Sequence, residues 1–209
     1  MKNANSRIYF WGTTDDFISS FEPKELSSFE EVKNSLASEK INENHLKDIV
    51  SVGIGNSHII ILTKKRKVIA IGKNNNYSLG TNNTKAKASY HSENVQKIRC
   101  YENLSAIISQ GKIYYWGSYQ HESDVFVKSP TSVKLPKGIQ VVDIAIASRH
   151  LVCLSKEEHV YSAGCNLFSE LGYESTKTNW KEFKKLDSIT DIKKIVCGKF
   201  HTAALTKGG

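Results

Sequence analysis

Proline is scarce in this sequence, three in 209 residues, which excludes a proline-rich linker or a collagen-like chain. Long apolar runs are missing as well. The longest, Ile59 to Leu62, is about four residues, against the roughly 20 that a membrane-crossing helix needs. The opening residues MKNANSRIYFW lack the apolar segment of a secretory leader, so the expected location is the cytoplasm or the nucleus. Four cysteines, Cys100, Cys153, Cys165 and Cys197, are too few and too dispersed for a disulfide framework, and no C-x-x-C pair suggests zinc. Buried free thiols are expected. Charge is not one-sided either: 29 Lys+Arg against 21 Asp+Glu leave a net +8, which favours an acidic partner such as nucleic acid, a membrane surface or an acidic protein without requiring one. With 39% hydrophobic and 24% charged residues, the composition is that of a folded domain.

What the sequence does contain is an internal repeat. Four segments align: DIVSVGIGNSHIIILT ending at Thr63, VQKIRCYENLSAIIS ending at Ser109, VVDIAIASRHLVCLS ending at Ser155 and IKKIVCGKFHTAALT ending at Thr206. The equivalent positions are His58, Leu104, His150 and His201, spaced by 46, 46 and 51, and the closing hydroxyl residue follows five positions later in every copy. A polar turn and a strand ending in glycine come next: VIAIG at Gly72, IYYWG at Gly117 and VYSAG at Gly164. IYFWG, ending at Gly12, opens the chain with the same strand type.

Two copies extend into the frame G-x-N-x-x-x-x-L-G, from Gly72 through Asn74 to Gly80 and from Gly164 through Asn166 to Gly172. Glycine suits the tight exits from the strands, and the short Asn amide can bond nearby backbone. The segments are short and rich in Ile, Val, Tyr and Trp, as strands are. A four-stranded unit of this period must stack on copies of itself, and the radial stack is a β-propeller.

The linked positions G-x-x-H, A-L-T or I-L-T, Y-x-W-G and N-x-x-x-x-L-G resemble the regulator of chromosome condensation (RCC1-like) repeat family, from Ile49 to Gly209 plus Arg7 to Gly12. Kelch and tryptophan-aspartate repeats have similar periods, but their Gly-Gly and Trp-Asp signatures are missing. The expected fold is therefore all-β, a propeller of about four four-stranded blades, either a partial propeller or a small closed ring. Repeats are placed at 49–94, 95–140, 141–191 and 192–209, the last closing with 1–16. The resemblance implies seven blades, so three arrangements fit the count: part of a larger propeller, a ring zipped shut by IYFWG, or a ring shared by two chains. Leu104 and Tyr101 depart from the His and Gly of other copies, and the stretches after Gly12 and Gly117 replace the Asn loop.

Residues 17–48 do not fit the blade plan and are read as an insertion. Ser28 with Glu31 reads as a capping box, and Phe29, Val32 and Leu36 share one helical face. The pattern predicts a short helix from Phe29 to Lys40 that either caps the propeller or projects from it.

No catalytic constellation, phosphate loop or metal spacing is recognisable. The chain is read as a non-enzymatic protein-interaction scaffold that needs no cofactor. His58, His150 and His201 lie one or two repeats apart and are read as structural hydrogen-bonding groups within blades. Candidate partner contacts are the basic run Lys64, Lys65, Arg66 and Lys67, which also fits a solvated turn, and the aromatic Trp180 and Phe183 among lysines. Trp11 and Trp116 fit blade packing. The resemblance implies two further roles, guanine-nucleotide exchange on a small GTPase, and chromatin or nucleic-acid association.

Overall fold

The computed structural model describes residues 7–14, 18–38, 48–91, 94–119, 125–174 and 179–208. Three complete antiparallel sheets stand in sequence order. Blade 1 comprises β3 (Ile49–Ile54), β4 (His58–Thr63), β5 (Val68–Gly72) and β6 (Ala88–His91). Blade 2 comprises β7 (Val95–Tyr101), β8 (Leu104–Ser109), β9 (Lys112–Tyr119) and β10 (Val125–Ser132). Blade 3 comprises β11 (Val141–Ile146), β12 (His150–Ser155), β13 (Val160–Gly164) and β14 (Asn179–Lys185). A two-stranded sheet flanks each end: β1 (Tyr9–Thr13) with β2 (Ser19–Glu25), and β15 (Ile192–Cys197) with β16 (Thr202–Thr206).

The register repeats from blade to blade. His58 pairs with Gly72, Leu104 with Gly117 and His150 with Gly164. By this alignment β15–β16 are the two inner strands of a fourth blade, and β1–β2 are the two outer strands of a blade preceding the first. Contacts between β3 and β7, β7 and β11, and β11 and β15 place the first strand of each blade on the inner side of the arc. There Lys97 Nζ and Arg99 Nη2 of β7 both meet Asp143 Oδ1 of β11 at 3.0 Å.

The second strand of each complete blade is its centre and is buried, HIIILT in β4 and HLVCLS in β12 throughout and LSAIIS in β8 up to its half-buried Ser109. Side chains alternate between the two faces of such a strand, so each blade buries one apolar set against the blade before it and one against the blade after. Ile60, Leu62, Leu79, Ile98 and Trp116 fill the gap between blades 1 and 2. Leu104, Ile113, Ile144, Leu151 and Phe183 fill the gap between blades 2 and 3. A smaller cluster with Val152, Leu154 and Ile195 seats the last hairpin.

Among the described residues, no apolar cluster joins β1–β2 to β15–β16. Of the three arrangements, closure of the last hairpin on IYFWG is not made among the described residues: β1 pairs with β2, and the sheets form an open arc. Among the described residues, the apolar clusters join each blade to its sequence neighbours, and the two ends are left apart.

The stretches after Gly12 and Gly117 are not remodelled loops throughout, because each contributes an outermost strand, β2 and β10. Pro23 and Pro130 lie in these strands, where the outward-facing edge needs no N–H donor.

The helix α1 spans Glu30–Ser38, after a 3-10 turn at Leu26–Ser28; Glu39 and Lys40 lie outside the described residues. The capping box does not form: Ser28 Oγ donates to Glu25 O at 2.6 Å, and the first helical turn closes on the carbonyl of Phe29. The apolar face is as expected, with Phe29, Val32 and Leu36 buried against Phe10, Ile59, Ile69 and Ile71. The described helix of the insertion therefore packs on blade 1.

Candidate functional site

Strand direction sorts the connections onto two rims. The turns between second and third strands, Thr63–Lys67, Ser109–Lys112 and Ser155–His159, share one rim with the final turn at Lys207. The loops between first and second strands and the long loops after Gly72 and Gly164 share the other.

The basic run lies on the first rim. Lys64 Nζ pairs with Asp48 at 3.4 Å. Arg66 adopts φ +60°, where blade 2 uses Gly111 at +71° and blade 3 uses Glu158 at +67°. The carbonyl of this left-handed residue accepts the first amide of the next blade: Arg66 O from Val95 N at 3.0 Å, Gly111 O from Val141 N at 2.9 Å, Glu158 O from Ile192 N at 3.4 Å. The turn is therefore a backbone latch between blades, whereas Lys64 and Lys65 extend into solvent.

The second rim carries the Asn loops. Asn74 Oδ1 accepts Leu79 N at 2.9 Å and its amide donates to Thr81 O and Asn83 O; Asn166 Oδ1 accepts Leu171 N at 2.9 Å and its amide donates to Tyr173 O. Gly80 and Gly172 close the loops with φ +69° and +73°. This bracing lets the loop tips stay out in solvent. Leu167 and Phe168 are 63% and 59% exposed, and Phe168 stacks on Phe200 at 4.7 Å with Lys199 Nζ 5.3 Å from the Phe200 ring. Tyr77 and Phe126 form a similar pair at 5.6 Å, with Lys128 over Tyr77. The sequence signal for these residues was slight, since they fall at the variable positions of the repeat.

Phe183 is not on a surface. It is 3% exposed and packs with Tyr161 and Ile144, because the register of β14 turns it toward blade 2. The backbone of Trp180 lies at the second-rim end of β14, one residue from Asn179, which pairs with Gly164. The basic run and the aromatic segment thus sit on opposite rims, and the structure does not bring them together.

Two of the repeat histidines, His58 and His150, bond across blades and not within them. His58 Nε2 stands 2.7 Å from Ser105 Oγ of blade 2, and His150 Nε2 stands 3.0 Å from Thr202 Oγ1. Each hydroxyl in turn donates to a loop carbonyl of the histidine's own blade, Ser105 to Ser78 O at 3.4 Å and Thr202 to Glu170 O at 3.0 Å. This order makes Nε2–H the donor to the hydroxyl, a tautomer assigned from the network. Burial lowers the pKa of His58 to about 4 and lowers that of His150. His201 is exposed.

Trp116 is fully buried and donates from Nε1 to Ser78 O at 2.8 Å, against blade 1. Trp11, its equivalent in β1, is 63% exposed, with no earlier blade against it among the described residues. All four thiols are free; Cys153 and Cys165 are buried and Cys100 and Cys197 half-buried, and burial pushes Cys100 and Cys197 up to about 12, away from thiolate chemistry. Among the described residues, no group of three or more His, Cys, Asp or Glu stands close enough to hold a metal ion. No described helix is long and apolar enough to cross a membrane.

No family model matches the chain. Curated relatives do. The human regulator of chromosome condensation is 25% identical over 138 residues, 60% of this chain and 33% of its own length. The human E3 ubiquitin-protein ligase HERC2 is 33% identical over 119 residues, 53% of this chain but 2% of its own length. Among solved structures, Prp20p from Saccharomyces cerevisiae, described with its binding to Gsp1p and histones, superposes with TM-score 0.77 over 99% of this chain and 52% of its own, at 19% identity. The chain spans about a third of the length of the first of these relatives and about half of the solved propeller.

Proposed function

We propose that this chain, a regulator-of-chromosome-condensation-like repeat protein, acts as a non-enzymatic protein-interaction platform, using the rim that carries Leu167, Phe168 and Phe200. The observation that supports this reading is the exposed aromatic pair Phe168–Phe200 with Lys199 beside it. Exposed aromatics flanked by cations on a braced loop suit an interface centre, where Phe, Tyr, Trp and Arg are enriched. The loops themselves are held by Asn166 and Gly172, so the patch is presented without paying to order it on binding. Capture of a stoichiometric partner by the wild-type chain, lost in Phe168→Ser/Phe200→Ser and kept in Lys64→Ala/Lys65→Ala, is the expected result. Equal capture by both variants removes this rim from the reading.

Regulation of a small GTPase, including guanine-nucleotide exchange, is the second reading. It is favoured by the likeness to the human regulator of chromosome condensation and by the Gsp1p binding described for Prp20p. A platform of this kind would act by binding the nucleotide-free GTPase more tightly than the loaded form, with no covalent step. Release of a fluorescent guanine nucleotide from a panel of loaded small GTPases, with and without the chain, tests it; an unchanged rate throughout rejects it.

Chromatin association is the third reading, favoured by the net +8 and by the histone binding described for Prp20p. The positive charge is partly neutralised, by Lys64–Asp48, Lys97–Asp143 and Lys207–Glu158. Phosphate-driven binding must weaken steeply with salt, so DNA affinity that is flat from 50 to 200 mM salt counts against that route.

A further inference from the structure

Blades 1 and 3 carry the same Asn-braced loop but present different chemistry from it. Around Asn166 of blade 3 stand the buried Cys165 and the exposed Leu167 and Phe168. The corresponding residues of blade 1 are Lys73, Asn75 and Asn76, of which Lys73 is half-buried and Asn75 exposed. The blade 1 loop also has a second wall beside it, because α1 packs on the same blade. Between helix and loop lies a cleft of about 410 Å³, lined on the loop side by Lys73, Thr84, Lys85 and Lys87 and on the helix side by Glu31 and Asn34.

Both walls are fixed. Asn74, 1% exposed, donates to Thr81 O at 2.9 Å and to Asn83 O at 2.8 Å. Asn83 in turn accepts Lys85 N on Oδ1 at 3.1 Å and Ala86 N on its carbonyl at 3.0 Å. Gly72 N donates to Lys87 O at 2.9 Å, which brings the backbones of Lys73 and Lys87 close together. Ala86 is buried between the exposed Lys85 and Lys87 and pins the segment to the blade. On the other wall, Val32 and Leu36 anchor α1, and Glu31 and Asn34, three positions apart, share its cleft side. A site built this way loses little freedom when it is filled.

Among the described residues, the cleft gathers three ammonium groups against one carboxylate, with an amide and a hydroxyl beside them. Lysine ammonium groups are compact charges that can donate in several directions. A phosphate monoester, with close to two negative charges and three strong acceptor oxygens, matches three such donors better than a carboxylate does. The volume lies in the range of ligand pockets and leaves room for the group that carries the phosphate. We infer that this cleft binds a phosphate monoester, held by Lys73, Lys85 and Lys87 with Asn34 and Thr84 donating beside them. Glu31 sets the orientation: it repels the phosphate toward the loop wall and favours an N–H or O–H donor of the ligand on the helix wall.

The test titrates the 209-residue chain, followed by its amide NMR spectrum, with three probes: inorganic phosphate, a short glycine-flanked phosphoserine peptide, and the same peptide with glutamate in place of phosphoserine. Saturable shifts of the Lys73, Lys85 and Lys87 amides are expected with both phosphate probes. Lys85→Gln/Lys87→Gln is expected to weaken binding at least roughly tenfold. Lys64→Gln/Lys65→Gln, which removes the same charge from the opposite rim, is expected to leave it unchanged, and Glu31→Gln to tighten it about two- to fivefold. The same spectra report whether each variant is folded. Tighter binding of the phosphopeptide than of inorganic phosphate identifies the ligand as peptide-borne; the reverse order identifies a free phosphate. Three outcomes overturn the inference: no saturable shift at the cleft with either phosphate probe, equal affinity for the glutamate peptide, or an equal loss of binding in the two lysine pairs.

Discussion

His58 and Ser105, 47 positions apart in sequence, meet at 2.7 Å between Nε2 and Oγ in the wall between two blades, and Ser105 passes the bond on to Ser78 O. One hydroxyl thus serves a side chain and a backbone carbonyl of the neighbouring blade. Ser105→Val should therefore cost more than an exposed substitution, about 1–3 kcal/mol, because it leaves a buried donor unpaired. Adding His58→Leu to it should recover part of that loss, since the pair then resembles the apolar junction of Leu104 with Leu151. Urea midpoints of the two single variants and the double variant check this; strict additivity would contradict the coupling.

Acid should loosen the same junctions. The folded state holds His58 at about 4 through burial, and lowers His150 for the same reason, against an ordinary value of 6.5. In the unfolded chain both imidazoles take up protons near 6.5, so the unfolded state binds more protons as pH falls below that value. Stability is thus fully present above about pH 7 and declines as pH drops from 6.5 toward 4, by about 3 kcal/mol for His58 at the low end. Thermal melts at pH 7.0, 6.0 and 5.0 should show the decline, and His58→Leu/Ser105→Leu should flatten it.

Much of this architecture was legible because the same spacing recurs: three glycine-ended strands after three hydroxyl-closed runs fix both blade number and register. Phe29, Val32 and Leu36 likewise revealed their buried face by helical period. What could not be read was anything depending on the neighbouring blade. Phe183 looked like part of a basic aromatic surface until the register of β14 turned it inward. The histidines read as bonding within their blades, since sequence cannot show that Ser105 and Thr202 face them from the next one. The Phe168–Phe200 patch combines two loops whose closeness follows only from blade stacking.

The Asn residues of the two loops should differ in consequence from their neighbours. Asn166→Ala removes the acceptor for Leu171 N and the donor to Tyr173 O, so the loop tip should lose its fixed shape. Partner capture through Phe168 is expected to weaken by a factor of about 5 to 30 while the melting temperature falls only modestly. Asn74→Ala, in the blade 1 loop away from Phe168, should destabilise comparably and leave capture unchanged. Comparing binding isotherms with melts for the two variants separates local bracing from general stability.

Glycine positions give the sharpest contrast between a filled and an empty junction. Gly12, Gly72, Gly117 and Gly164 share positive φ, at +92°, +133°, +104° and +126°. A methyl group at Gly72 would collide with Ser57 O, at Gly117 with Asn103 O and at Gly164 with Arg149 O, each the backbone of the adjoining second strand. At Gly12 nothing lies within 4 Å, since among the described residues no second strand stands beside β1. Gly12→Ala then carries only the conformational penalty of about 1–2 kcal/mol, whereas Gly117→Ala must also displace backbone hydrogen-bonded across the sheet. Gly117→Ala is expected to lower the urea midpoint at least twice as far as Gly12→Ala. If the two are equal, a strand already covers β1 in solution, and the arc is closed by something at that edge.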